Sequence, residues 1–180
     1  MRPKLPALEK NILKYRALQM VLLVHEVASL RAFLINSIRE TDSFPWREGS
    51  ERLPERTRGP LQKALRVLVD ESILTDEESQ DLQTIVEIRN TVGHRVHELV
   101  EDISAPPDLR RRGRSFDYGA LERFERYRRK IELGMMNKFV LQLDFRGVVF
   151  DQAEATYKEE LARLRKRIDR QYVERSNATA

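Results

Sequence analysis

The chain has 180 residues, with 33 Lys+Arg against 29 Asp+Glu for a net charge of +4, and it contains no cysteine. That length favours one domain, or one domain with an extension, and the lack of cysteine excludes disulfides and thiolate metal sites. Hydrophobic residues make up 41% and charged residues 34%, a balance that suits a soluble, highly charged helical protein and excludes a disordered one. The charge is unevenly placed. Residues 1–100 hold 15 basic and 15 acidic side chains, and residues 101–180 hold 18 and 14. No secretory pattern opens the chain. The longest apolar run, Met20 to Val24, is far short of a membrane span. A cytoplasmic protein with no membrane partner is expected.

Leu8 to Glu40 reads as one long helix, with Met20, Leu23, Val27, Leu30, Leu34 and Ile38 on one apolar face. Further apolar groups at Val21, Leu22, Val24, Phe33 and Ile35 widen that face, as in a helix shared between a core and a dimer interface. Thr41 to Pro60 is a loop broken by Pro45, Gly49, Pro54 and Gly59. Its Phe44 and Trp46 either peg it to the core or leave Trp46 free to stack on a base. Leu61 to Glu71 is a short helix. Thr75 with Glu78 forms a capping box for the next one, which is expected to run from Asp76 to about Ile103, where Pro106 and Pro107 end it. Asp108 to Ser115 is a basic loop holding Arg110, Arg111, Arg112 and Arg114, candidate grips for a phosphate backbone. A helix from Tyr118 to about Leu143 follows, with a seam of Leu121, Phe124, Tyr127, Ile131, Met135, Phe139 and Leu143. The last helix is expected to start at an Asp151/Glu154 cap and to bury a narrow stripe of Tyr157, Leu161, Leu164 and Ile168.

The stretch Glu87–Leu99, EIRNTVGHRVHEL, holds two of the three histidines. A seam of Leu82, Ile85, Arg89, Val92, Val96, Leu99 and Ile103 steps by three and four. Arg89 interrupts it where a leucine is expected, and a buried arginine costs free energy unless it is paired. Glu87, Asn90, His94, His97 and Glu101 line a second, polar face. On a straight helix Arg89 and His94 lie about 140° apart. They act together only if the arginine arm reaches round, or if groups meet across a two-fold interface.

Arg89, Asn90, three residues and then His94 resembles the R-N-x(3)-H form of the motif of the HEPN superfamily. The resemblance covers roughly Leu8 to Ile103. It implies an all-α, HEPN-like antiparallel helical bundle over residues 1–103, with 104–180 as a basic loop and a C-terminal helical extension packed on that core. Many members of the family are metal-independent ribonucleases of toxin and antiviral defence systems, and two copies of the motif face each other across a dimer cleft. Carried to this chain, His94 becomes a general acid/base and Arg89 a phosphate clamp, with Asn90 orienting one or the other. His97, Trp46 and the four loop arginines become candidate substrate contacts. The implied partners are an RNA substrate such as tRNA or mRNA, a second copy of the chain, and an antitoxin or regulatory protein. No cofactor is implied.

Two other readings compete. His94 and His97, with Glu98 and Glu101 on the next turn, resemble part of a zinc site, but H-E-x-x-H is absent and no clear third ligand is supplied, so no metal is expected. Alternatively, Arg89 pairs with a core carboxylate such as Glu26, and the chain is a non-catalytic helical module that binds a protein or nucleic acid.

Overall fold

The computed structural model describes residues 6–46, 48–94, 96–100, 103, 116–142 and 148–177. It is all-α, with no strand among the described residues. The helices are α1 (Ala7–Ser43), α2 (Pro60–Asp70), α3 (Asp76–His94), α4 (Ala120–Met135) and α5 (Val148–Asn177), and a 3-10 turn, Val96–Leu99, follows α3. The chain forms two compact units. Unit 1 comprises Met1–Leu23, Arg89–Tyr118 and Val148–Ala180, and unit 2 comprises Val24–Ile88 and Gly119–Gly147.

Unit 2 is built on the second half of α1, whose Val27, Leu30, Leu34 and Ile38 are buried, together with Leu65 and Leu68 of α2, Leu82 and Ile85 of α3, and Phe124, Ile131 and Met135 of α4. The α2–α3 link is fixed locally. Ser72 sits at a left-handed φ of 58°. The Ile73 N–H bonds to the Leu68 carbonyl at 2.8 Å, and the Ser72 N–H bonds to that of Val69 at 2.9 Å. That is the paired closure which satisfies the last carbonyls of a helix. The expected capping box then opens α3: the Thr75 N–H donates to Glu78 at 2.9 Å, and the Glu78 N–H donates to the Thr75 hydroxyl at 3.2 Å.

α3 and α4 run antiparallel, in a register set by charge. Lys130 bonds both oxygens of Glu78, while Arg123 and the Tyr127 hydroxyl meet at Asp81. Farther along, Gly134 approaches Ile73 so closely that an added Cβ would lie 2.6 Å from its Cγ2. Desolvation works against the charged form of Asp81, but the hydrogen bonds from Arg123 and Tyr127 and the nearby charge of Arg126 hold its pKa below the ordinary carboxylate value. A lowered folded-state pKa contributes stability above the unfolded value, near pH 4, that is lost as pH falls through the folded value. The denaturant midpoint is therefore expected to fall as pH is taken from about 5 to about 3, and Asp81→Asn should show a smaller fall. Equal falls in parent and variant would remove Asp81 from the acid response.

The loop after α1 is laced down by polar contacts. Asp42 accepts the backbone N–H of Arg52 at 2.7 Å and its Nε at 2.8 Å. The Arg39 guanidinium donates to the carbonyls of Leu53, Pro54 and Glu55, and Leu53 is buried. Arg52 also lies over the Phe139 ring, 4.6 Å from its centroid. Trp46 is not a peg: it is 65% exposed, 5.7 Å from the Phe44 ring.

Unit 1 pairs the first half of α1 with α5, again antiparallel. Glu9 bonds Arg175 at 3.0 Å, and Asn11 bonds Gln171 at 2.9 Å. Leu8, Ile12 and Ile103 form a small core with Leu13 and Ile168 against it. Leu161 and Leu164 are buried, and most of α5 beside them is exposed, as a narrow stripe requires. The helix starts at Val148, so Asp151 lies inside its first turns rather than at its cap.

Among the described residues, α1 is the one helix long and apolar enough to cross a membrane. An 18-residue window has a mean hydropathy of 1.6, and 44% of that window is buried inside the protein. Glu26, buried and ion-paired to Arg128 of α4, is the kind of group a core helix carries.

Candidate functional site

The last two turns of α3 place Arg89, Asn90 and His94 on one helix, with Asn90 and His94 four residues apart and so on the same face. Arg89 is half-buried and Asn90 exposed. The Arg89 guanidinium is turned toward its neighbour, with Nη1 donating to the Asn90 Oδ1 at 2.9 Å. This draws the cation round the helix toward Asn90. The Arg89 Nε is buried and has no hydrogen-bond partner among the described residues. A buried, unsatisfied N–H costs about 1–3 kcal/mol, so the site carries an unused donor close to an exposed polar face.

The helix does not continue to Ile103 as the periodicity predicts. It stops at His94, and Val96–Leu99 winds as a 3-10 turn. Gly93, one residue before the end, is a poor helix former. His97 therefore lies on the turn rather than one helical turn beyond His94, and it is exposed.

That turn is held by Arg16 of α1, a residue outside the candidates that the motif suggests. Arg16 is 4% exposed. It donates through Nη1 to the Leu99 carbonyl at 3.3 Å and through Nε to the Tyr118 hydroxyl at 2.9 Å. Its guanidinium lies 5.0 Å from the Phe116 ring centroid and 5.5 Å from that of Tyr118, a geometry that stabilises a cation out of water. One turn on, Gln19 donates to the Asp117 carbonyl at 2.8 Å. Arg16 and Gln19 thus fasten both the end of the motif segment and the residues that precede α4. The sequence does carry a signal for this: Arg16 lies on a core-facing position between Ile12 and Gln19, the same anomaly that marks Arg89.

Trp46 is in unit 2, while Arg89, Asn90, His94 and His97 are in unit 1. Arg110, Arg111, Arg112 and Arg114 lie outside the described residues. A cleft of about 440 Å³ in unit 2 is lined by Asn36, Arg39, Glu40, Asp42, Glu51 and Glu55, among others, so a phosphodiester there would meet mainly carboxylates. Among the described residues no group of three or more His, Asp or Glu side chains converges as a metal site. No family model, no curated protein and no solved structure matches this chain.

Proposed function

We propose that the protein is a cytoplasmic, metal-independent endoribonuclease of the HEPN-like, toxin or defence type, acting as a homodimer that brings two copies of the Arg89/His94 motif together. The observation that carries the reading is the state of Arg89. A half-buried guanidinium with one unsatisfied buried N–H, turned onto Asn90, is more readily understood as a phosphate donor in waiting than as a packing residue. The carboxylate candidate for its partner, Glu26, is engaged by Arg128.

In the proposed reaction the ribose 2′-oxygen attacks the adjacent phosphorus, a 2′-O–P bond forms and the P–O5′ bond breaks. His94 takes the 2′-hydroxyl proton or delivers one to the leaving 5′-oxygen; a free imidazole side chain titrates at about pH 6.5 and so does either near neutral pH. Arg89 stabilises the charge that builds on the phosphorane oxygens, and its planar fork suits them. The products are a 2′,3′-cyclic phosphate and a 5′-hydroxyl. End-group analysis of RNA cut by the purified protein in excess EDTA should find those two ends, and 2′-O-methyl RNA should survive. Cuts that leave a 5′-phosphate, or cutting of the 2′-O-methyl strand, would contradict the reading.

A further inference from the structure

α5 carries a positive surface of its own. Arg163, Lys166, Arg167 and Arg170 fall within about 100° of one another around the helix and span about 10 Å along it. The buried Leu161 and Leu164 face away from them. All four are exposed. Earlier in α5 the basic residues are neutralised in the ordinary way: Lys158 pairs with Glu154, and Arg163 with Glu159 at 3.5 Å and Glu160 at 3.7 Å. Beyond Arg163 that pattern stops. Lys166, Arg167 and Arg170 make no ion pair among the described residues.

The spacing sets like charge against like charge. Arg163 and Arg167, and Lys166 and Arg170, are neighbours four residues apart, and such pairs destabilise an isolated helix. Asp169, three residues from Lys166, and Glu174, four residues after Arg170, stand at pairing distance along the helix but form no ion pair with them among the described residues. The helix dipole does not account for them, because its effect is confined to the last turn and α5 continues to Asn177. A merely solvated face has no need of this arrangement; a polyanion laid along it would relieve the repulsion. α5 belongs to the same unit as Arg89 and His94.

We propose that this face of α5 grips the phosphate backbone of RNA, holding the substrate in a sequence-independent way while α3 acts on it. The choice of RNA rests on the ribonuclease reading; the grip on a phosphodiester backbone does not. Three unpaired cations, Lys166, Arg167 and Arg170, on a single strand correspond to a slope of about −2 in log affinity against log salt, or about 20-fold weaker binding between 50 and 200 mM.

The test measures binding of the full-length protein to a fluorescent 2′-O-methyl RNA, by anisotropy in EDTA across that salt range. The variant R163Q/K166Q/R167Q/R170Q should bind at least ten-fold more weakly at 100 mM salt, with a slope shallower by about two. It removes like-charge neighbours and, at Arg163, only exposed ion pairs of little worth, so it should melt close to the parent. A control with the same charge change in unit 2, R31Q/R56Q/R58Q/K63Q, should bind like the parent. Equal weakening in both variants would reduce the effect to net charge and overturn the inference. So would parental binding by the α5 variant, or binding of the parent to phosphatidylglycerol vesicles in place of RNA. Cleavage of unmodified RNA, measured alongside, separates the two readings. A parent that binds through α5 but cuts nothing sinks the enzyme and leaves the grip. A parent that cuts RNA with parental binding in the α5 variant does the reverse.

Discussion

Arg89→Met is expected to lower the rate of RNA cleavage by about 10²–10³-fold, the usual loss when one donor to a developing oxyanion is removed. The fold should be nearly untouched. Methionine keeps an apolar arm in the seam of α3; it deletes the exposed Nη1 bond to the neighbouring Asn90 and the buried Nε–H that has no partner among the described residues. Removing an unsatisfied donor relieves a cost of about 1–3 kcal/mol, so the midpoint of urea unfolding should hold or rise. An arginine kept for structure would give the opposite pattern, with a clear drop in midpoint and unchanged turnover per folded molecule. Measuring both quantities on one preparation separates the two roles.

Arg128→Met should be among the most destabilising single changes. Glu26 has only 2% of its side chain exposed and is paired with Arg128, which also bonds Glu132 at 2.9 Å. Removing one partner of a buried pair costs about 3–5 kcal/mol, because the other charge stays buried. The Arg128 side chain is about one-third exposed, so about 3 kcal/mol is the expected loss in urea unfolding. Adding Glu26→Gln should recover much of it, since a buried pair replaced as a whole is often near neutral. A loss below about 1 kcal/mol, or no recovery in the double variant, would mean that this pair does not organise α1 and α4.

Local periodicity made the helical class legible. α1 has no interior glycine or proline, the Thr75/Glu78 box sits where the spacing places it, and the Leu161/Leu164 stripe is buried as narrowly as the sequence suggests. Periodicity misled at α4. Ile131, Met135 and Phe139 are spaced by four and all are buried, yet the helix ends at Met135. The next residues turn, with the N–H groups of Lys138 and Phe139 both bonding the Met135 carbonyl. The N–H groups of Val140 and Gln142 then bond the hydroxyls of Thr41 and Ser37 on α1. Helix-compatible spacing was satisfied by a segment that is no longer helical.

Long-range polar pairs were not legible at all. Asp42 with Arg52, Arg39 with the carbonyls of residues 53–55, and Arg16 with Leu99 and Tyr118 join residues 10 to 102 apart in sequence. A local pattern can mark one member, as the core-facing position of Arg16 does, but it does not name the partner. The Arg89–Asn90 bond is the reverse case: the neighbours were evident, but the direction in which the arginine arm turns depends on the packing around it.

Whether a histidine and an arginine at the end of α3 cut RNA without a metal is decided by incubating total RNA with purified parent and with His94→Ala in excess EDTA. Cleavage by the parent should survive EDTA and fall at least about 10²-fold in the variant, the scale of a missing general acid or base. Equal cleavage by both proteins, or cleavage that EDTA abolishes, would rule out a metal-independent site at His94.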